Sequence, residues 1–478
     1  MKILFVASEA LPFKASGGLA EVAGSLPQAL RKRLVGARVV MPLYDSINPE
    51  LREKLKFLTH ISVPVSWRRQ YCGIFEVRLG GVVYYLLDNQ YYFKRGSQIY
   101  GHYDDAERFA FFSRAVLEIL PHLYEHDGFR PDVIHCNDWQ SALTPVYQSV
   151  FYGKKEFYQN LKTVFTVHNI EYQGKYDMAL LGDVFALSEK EASLVEHDGC
   201  VNLMKGAIEC ADAVTTVSPT YAEEILTPWY AHGLDNILHQ RSYKLSGILN
   251  GIDVDGYNPE TDRVIAANYS AENPKHKASC KAAIQQAFEL QPSPRAPLIA
   301  IISRLVGHKG MDLIIAKLEK LLSESDAQLV VLGTGEYQYE RFFRNLVERF
   351  PGRVGVRLDF LPTLSRQIYA GCDIFLMPSK SEPCGLSQMI ALRYGAIPVV
   401  RETGGLKDSI QDSGDGLGNG FTFVNYNADE LLHALRRALQ GYSDEAGWQL
   451  LVKRALECDF SWGKSAKTYM KLYKSLLK

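Results

Sequence analysis

A chain of 478 residues is too long for one ordinary hydrophobic core, so two domains are expected. Its formal net charge of −1, with 22% of residues charged, leaves no general field for recruiting nucleic acid or an anionic membrane and suits a neutral polymer or a small anion held by local residues. A hydrophobic content of 47% fits a soluble globular enzyme, and no apolar run is long enough to span a bilayer. The eight cysteines show no CxxC pair and no Cys/His cluster at zinc spacing, which favours reduced thiols over disulfides or a metal site.

The opening run Met1, Lys2, Ile3, Leu4, Phe5, Val6 reads as a first strand. Ser8, Glu9 and Pro12 cut it short of a signal-peptide core, so the cytoplasm is the expected location. Short β-branched runs then alternate with helical patterns, at 2–7, 37–41, 82–87, 133–135, 164–167 and 213–217 in the first half. The second half repeats this at 298–302, 328–332, 354–358, 374–377 and 397–400. Such alternation is the signature of parallel sheets covered by helices, and it predicts an α/β chain with two doubly wound halves. A polar region at 262–294 parts the two sets without the composition of a long flexible linker, the crossover is expected near 247–253, and the tail 460–477 reads as a terminal helix.

Two loops of the second half carry chemistry. After the strand at 298–302 come Ser303, Arg304, Leu305, Val306, Gly307, His308, Lys309 and Gly310, so two cations leave the carboxyl end of one strand, where ligands sit in open parallel sheets. Arg304 offers a planar fork and Lys309 a point charge to a phosphate; each alone would read equally well as a solvated surface charge. After the strand at 374–377 come Glu382, Pro383, Cys384, Gly385, Leu386, Ser387 and Gln388, ahead of a helical pattern from Met389 to Tyr394. A helix start offers orphan N–H groups to an anion, and Gly385 permits close backbone approach. An ordinary capped turn with an incidental acid is the alternative.

The ordered segments KILFVASEALPF with SGGLAEV at the start, HCNDW at 135–139, TVHNIEYQG at 166–174, TTVSPTYAEEI at 215–225, LNGID at 249–253, SRLVGHKG at 303–310, PSKSEPCGLSQ at 378–388 and TGGLKDSI at 403–410 carry a resemblance that spans nearly the whole chain. The sequence resembles the bacterial glycogen synthases and the plant starch synthases, retaining glycosyltransferases of the GT-B type with two facing Rossmann-like domains. The resemblance implies an acceptor-side, catalytic domain over 1–246, a nucleotide-sugar-binding domain over 247–459 and a helix at 460–478 that packs back on the first domain. It implies transfer of glucose from ADP-glucose to the non-reducing end of an α-1,4-glucan, with no cofactor, no metal, no nucleic acid and no membrane. The resemblance also implies a diphosphate held by Arg304, Lys309 and helix amides, and no DxD-like carboxylate pair stands near the donor motifs to supply the oxygen ligands Mg²⁺ would need.

By the same resemblance, the leaving diphosphate departs through an oxocarbenium-like state and the acceptor hydroxyl attacks from its side. Glu382 matches the family's acid, positioning the donor sugar and stabilising that state, with Arg304 and Lys309 neutralising the leaving group. Related nucleotide-sugar transferases carry a second Glu eight positions later; here that place is Ile390, with Gln388 nearer, as in starch and glycogen synthases. His168 and Asn169 are expected beside the transferred glucose, Asp138 at the border of sugar and acceptor, and Asn250 on the glucose or at the hinge. Phe360 is expected to stack on adenine, and Cys384, Gly385, Leu386 and Ser387 to line the phosphates. The donor loop departs from the family: Lys14 stands one place further from Gly17 and Gly18, the usual Asp is Glu21, and Pro362 replaces an acid.

Tyr91, Tyr92, Phe93, Tyr100 and Tyr103, with Arg95 and Asp104, form an aromatic segment that reads either as a glucan platform or as core closure. Three function classes follow: the glucan synthase, a catalytically impaired glucan-binding scaffold suggested by the Lys14 shift, and a nicotinamide dehydrogenase. The last lacks a G-x-G-x-x-G in its first βα turn. UDP-glucose is the alternative donor.

Overall fold

The β-branched and aromatic runs of the first half pair side by side into a nine-stranded sheet in the computed structural model, which describes residues 1–478. Its strands are β1 (Lys2–Val6), β2 (Gly36–Pro42), β3 (Lys56–Val65), β4 (Arg68–Leu79), β5 (Val82–Asp88), β6 (Val133–Asn137) and β7 (Lys162–Val167). A small antiparallel sheet follows, β8 (Lys175–Asp177), β9 (Glu196–His197) and β10 (Cys200–Asn202), and the main sheet resumes with β11 (Ala213–Thr216) and β12 (Leu245–Gly247). The order across the large sheet is β12-β11-β7-β6-β1-β2-β5-β4-β3. β1 lies parallel to both β2 and β6, and Ile3, Leu4, Phe5 and Val6 are wholly buried, as a strand covered on both faces must be.

One part of this sheet corrects the all-parallel reading. β3 and β4 run antiparallel, and β4 is antiparallel to β5 as well. β3 lies at the sheet edge with most of its residues exposed or half-buried, so it lacks the apolar run that marks a buried parallel strand.

The second half builds a six-stranded sheet from β13 (Leu298–Ile302), β14 (Gln328–Leu332), β15 (Val354–Arg357), β16 (Ile374–Met377), β17 (Ile397–Arg401) and β18 (Phe421–Phe423). All neighbours are parallel, in the order β15-β14-β13-β16-β17-β18, which is the 3-2-1-4-5-6 winding of a Rossmann domain. The polar region at 262–294 belongs to this body: helix Lys277–Ala287 packs on helix Pro362–Gly371. Its inward face carries Lys277 and Lys281 beside Cys280 and Ile284, and the two lysines are paired. Lys281 Nζ meets Asp373 at 2.7 Å, and Lys277 Nζ donates to the carbonyls of Ala370 and Tyr394 at 2.9 and 3.0 Å.

The chain divides into two units, Met1–Gly251 with Trp462–Lys478, and Ile252–Ser461. In the first unit, helix Trp462–Leu476 packs on helix Gly18–Arg31. It buries Trp462, Ala466, Tyr469 and Tyr473 at the 3–4 spacing of one helical face. No helix is long and apolar enough to cross a membrane.

Among the parallel strands of each sheet the winding reverses at one place, between β1 and β6 in the first and between β13 and β16 in the second. Ligand crevices of open α/β sheets form at that point, beyond the carboxyl ends of the strands.

Candidate functional site

In the second unit the two chemistry-bearing loops leave the two strands that flank the reversal, β13 and β16. Lys309 Nζ donates to Glu382 Oε2 at 2.6 Å, and Ser379 Oγ donates to the same oxygen at 2.9 Å. Glu382 is buried, so the ammonium and the hydroxyl compensate a carboxylate withdrawn from water. Arg304, on the same loop as Lys309, is exposed.

Three glycines make this proximity possible. A side chain at Gly310 would stand 2.2 Å from the Pro378 carbonyl oxygen, and side chains at Gly404 and Gly405 would stand 2.0 and 1.9 Å from those of Glu382 and Cys384. The start of helix Gly404–Ser409 is therefore pressed against the Glu382 loop, with Gly405 N–H donating to Glu382 O at 3.1 Å. Gly385 turns the loop in the left-handed region, φ +68°. Leu386 then leads into helix Ser387–Arg393, and Cys384 is buried. Gln388 is buried and donates to the carbonyls of Cys384 and Gly385, at 3.0 and 2.9 Å, and to Ser409 Oγ at 3.1 Å. Its observed role is to brace the loop. Phe360, beyond β15, is 84% exposed, an unusual place for a bare phenyl ring and a suitable one for stacking a planar ligand. Pro362 opens the next helix at its first position, where a missing N–H costs nothing.

In the first unit, the chain leaving β1 buries Glu9, which accepts the backbone N–H groups of Ser16 and Gly17, and burial raises its carboxyl above the ordinary range. Gly17 and Gly18 enter helix Gly18–Arg31 with open space before them, since a side chain at Gly18 would meet nothing within 4 Å. Packing does not require glycine there. Lys14 is half-buried, its backbone N–H bonded to Ala10 O at 3.0 Å, and Glu21 sits in the helix's first turn.

At the end of β6, Asp138 takes φ +53° and ψ 177°, a conformation close to glycine-only territory and costing on the order of 1–3 kcal/mol. Its carboxylate accepts the backbone N–H groups of His168, at 2.8 Å, and Asn169, and burial pushes it up to about 7. Asn137 Nδ2 is committed to the carbonyls of Val6 and His135, at 3.1 and 3.2 Å, which turns its Oδ1 towards His168 Nε2 at 2.9 Å. A carbonyl oxygen only accepts, so His168 carries its proton on Nε2. Burial lowers His168 to about 4; the ring is neutral at pH 7, and Nδ1 keeps a lone pair that can accept a hydroxyl proton. Asn169 Oδ1 accepts Glu171 N–H at 3.0 Å in an Asx turn. Asn250 is buried with Oδ1 lacking any hydrogen-bond partner, an acceptor that a ligand hydroxyl would satisfy.

The aromatic segment divides. Tyr91 is 63% exposed, with the Arg95 guanidinium 5.4 Å from its ring and gripped by Asp104 at 2.5 and 2.6 Å. Tyr92 is wholly buried against Phe111, its hydroxyl on Glu107. Its place on a glucan platform is corrected to core, because the ring is wholly buried between Phe93 and Phe111 while its neighbour Tyr91 stays exposed. Trp139 packs on Phe109 and Tyr176 and also borders an open cleft of about 430 Å³ with Tyr172, Gln173, Lys175 and His232. No group of three or more His, Cys, Asp or Glu side chains converges in a way that could hold a metal ion.

Sequence reasoning gave no role to Glu9, Asn137, Ser379, Gly404 or Gly405. The usable signals were an acid three residues beyond a buried strand and a Gly-Gly pair three residues beyond another.

Residues 2–240 match the family model of the starch synthase catalytic domain, and residues 284–449 match glycosyl transferases group 1. The chain is 49% identical, over 482 residues, to the glycogen synthases of Geobacillus thermodenitrificans and Geobacillus stearothermophilus, covering 100% of this chain and 98% of each relative. Among solved structures, the catalytic domain of Starch Synthase IV from Arabidopsis thaliana, bound to ADP and acarbose, gives a TM-score of 0.90 at 35% identity, covering 100% of this chain and 99% of that one. Sucrose-phosphate synthase from Thermosynechococcus elongatus gives a TM-score of 0.62 at 16% identity over 99% and 98% of the two chains, a likeness of fold.

Proposed function

The chain belongs to the glycogen synthase family of glycosyltransferases, and from that premise we propose that it moves glucose from ADP-glucose to the non-reducing end of an α-1,4-glucan with retention of configuration. The observation that carries this reading is the pairing of Lys309 with the buried Glu382 on the two loops that flank the sheet reversal. A diphosphate arriving there meets an ammonium already in place, the exposed Arg304 and the amides that open helix Ser387–Arg393.

The C1–phosphate bond of the donor breaks first, its electron pair leaving with ADP. The acceptor hydroxyl attacks C1 from the same side and gives its proton to the departing phosphate. Glu382, drawn close by Lys309 and Ser379, opposes the positive charge on the sugar in the transition state. His168 Nδ1 accepts a sugar hydroxyl, and Asp138 holds the His168 backbone in place and borders the acceptor. The buried Asn250 oxygen takes another sugar hydroxyl, and Phe360 stacks on the base. Lys14, on the loop that ends in Gly17 and Gly18, is the cation that the first unit offers to the transferred sugar. The exposed Tyr91 and the cleft beside Trp139 and Tyr172 offer the glucan chain its ring faces. Starch Synthase IV, bound to ADP and acarbose, supports the choice of adenine in the donor and of an oligosaccharide as the partner.

The test is glucose incorporation into glycogen from equal concentrations of labelled ADP-glucose and UDP-glucose. ADP-glucose is expected to supply most of the label, with Glu382→Gln losing most of kcat while still binding donor. Equal or greater use of UDP-glucose would overturn the donor assignment, and a fully active Glu382→Gln would remove Glu382 from the mechanism.

A further inference from the structure

Beneath the His168 cluster lies a second, wholly buried polar chain that the proposed reaction does not use. His135, on β6, is bonded through Nε2 to Thr166 Oγ1 at 2.6 Å and through Nδ1 to the Tyr473 hydroxyl at 2.7 Å. Thr166 Oγ1 meets Thr215 Oγ1 at 2.6 Å. His135 and Tyr473 are both 1% exposed or less. Phe5 and Tyr469 close on the imidazole at centroid distances of 4.8 and 5.4 Å.

The sheet register explains the arrangement. β6 and β7 are parallel neighbours with Asn137 beside Thr166, and side chains two residues apart on a strand share a face. His135 with Thr166 and Asn137 with His168 are therefore successive cross-strand pairs on one face. The lower pair is capped by the C-terminal helix and the upper pair reaches the candidate site. They are also joined directly, because Asn137 Nδ2 donates to the His135 carbonyl at 3.2 Å and Asp138 N–H donates to the Thr166 carbonyl at 3.0 Å.

The proton order in this chain follows from elimination. A phenol has one proton, and the Tyr473 hydroxyl has one partner, His135 Nδ1; a buried O–H must be donated, so Tyr473 donates and Nδ1 accepts. Burial keeps His135 neutral, so its single proton is on Nε2 and goes to Thr166. The last helix of the chain thus fixes the tautomer and the angle of a ring one pair below His168.

We infer that Tyr473 is a positioning residue for the transfer reaction, acting through His135 and Thr166 to hold Asn137 and His168 in register, so that the site is complete only when the C-terminal helix has docked. This rests on the reading of His168 as a sugar-binding residue.

The experiment uses the full chain and three substitutions. Tyr473→Phe keeps the ring packed but removes the proton donor, and it is expected to lower kcat about tenfold with donor and glucan KM within about twofold. Thr166→Val, which leaves the imidazole N–H unpaired, should do the same, and Thr166→Ser should restore parent kinetics. Nitrogen-15 NMR of histidine-labelled protein should show the ring signals of both His135 and His168 moving in Tyr473→Phe. Parent-like kcat in Tyr473→Phe and Thr166→Val would overturn the inference, as would unmoved His168 signals or a kcat loss that vanishes on cooling, the mark of lost stability alone. His168→Ala separates the two levels. Strong impairment there with a normal Tyr473→Phe defeats only the relay, whereas a parent-like His168→Ala defeats the reading beneath it.

Discussion

Asp138 and His168 touch through one hydrogen bond, yet burial displaces them towards the same uncharged condition from opposite directions, Asp138 up to about 7 and His168 down to about 4. The consequences for stability have opposite signs. Between about 4 and 7 folded Asp138 holds more protons than the unfolded carboxyl, so its term falls as pH rises. Between about 4 and 6.5 folded His168 holds fewer protons than the unfolded imidazole, so its term falls as pH drops. In the parent the two partly mask each other. Asp138→Asn removes the first and leaves the second, so its unfolding free energy should rise more steeply with pH than the parent's, as read by urea denaturation from about pH 5 to about pH 8. A parent-to-variant difference that stays constant over that range would show that Asp138 titrates normally in the fold. The residue types at this cluster were legible, since HCNDW and TVHNIEYQG single out Asp138 and His168. The hydrogen-bond directions were not, because Asn137 owes its orientation to carbonyls on two other strand positions, Val6 and His135.

At the scale of elements, glycines decide how near the loops can come. Gly404 lies at φ +43°, and a side chain there would stand 2.0 Å from the Glu382 carbonyl oxygen, far inside contact distance, so the Glu382 loop or the helix must yield. A displacement of about 1 Å at a reacting centre costs on the order of 10²-fold in rate. Gly404→Ala is therefore expected to lose activity on that scale while its far-UV circular dichroism stays parent-like. Full activity would mean that the loop has slack and that the helix Gly404–Ser409 does not set the Glu382 position. Strands such as β13 and β16 were legible to the residue because they are unbroken apolar runs covered on both faces, and β14 because four apolar residues follow its buried Gln328. The β3–β4 hairpin was not, since β3 carries Lys56, Thr59, His60 and Ser62 on an edge and is held by its pairing with β4 rather than by its own apolar pattern. Helix Lys277–Ala287 escaped for a related reason: its inward face uses Lys277 and Lys281, whose partners come from distant segments.

At the scale of the whole molecule, the first unit is discontinuous, with Ile252–Ser461 inserted between Gly251 and Trp462. Each unit has its own sheet and core, so each can melt as a cooperative body, and a ligand held by one should move only that one. Arg304, Lys309, Phe360 and the loop after Glu382 all belong to the continuous unit, which makes ADP a selective probe. At about 100 times its dissociation constant a ligand stabilises its host by about 2.7 kcal/mol, and for a body of about 200 residues each kcal/mol moves the midpoint by roughly 2–4 °C. ADP should thus raise the melting of Ile252–Ser461 by roughly 5–10 °C. The two bodies can be told apart optically, since Trp67, Trp139, Trp229 and Trp462 lie in the discontinuous unit and Trp448 alone in the other. Calorimetry, which sees both, should show one transition move with ADP, while tryptophan fluorescence, dominated by the discontinuous unit, should show its midpoint stay within about 2 °C. If instead the fluorescence midpoint climbed by the full amount and no calorimetric transition moved apart from it, the nucleotide would be held by the strands around β1 and β6, and the assignment of Arg304, Lys309 and Phe360 to the donor would be wrong.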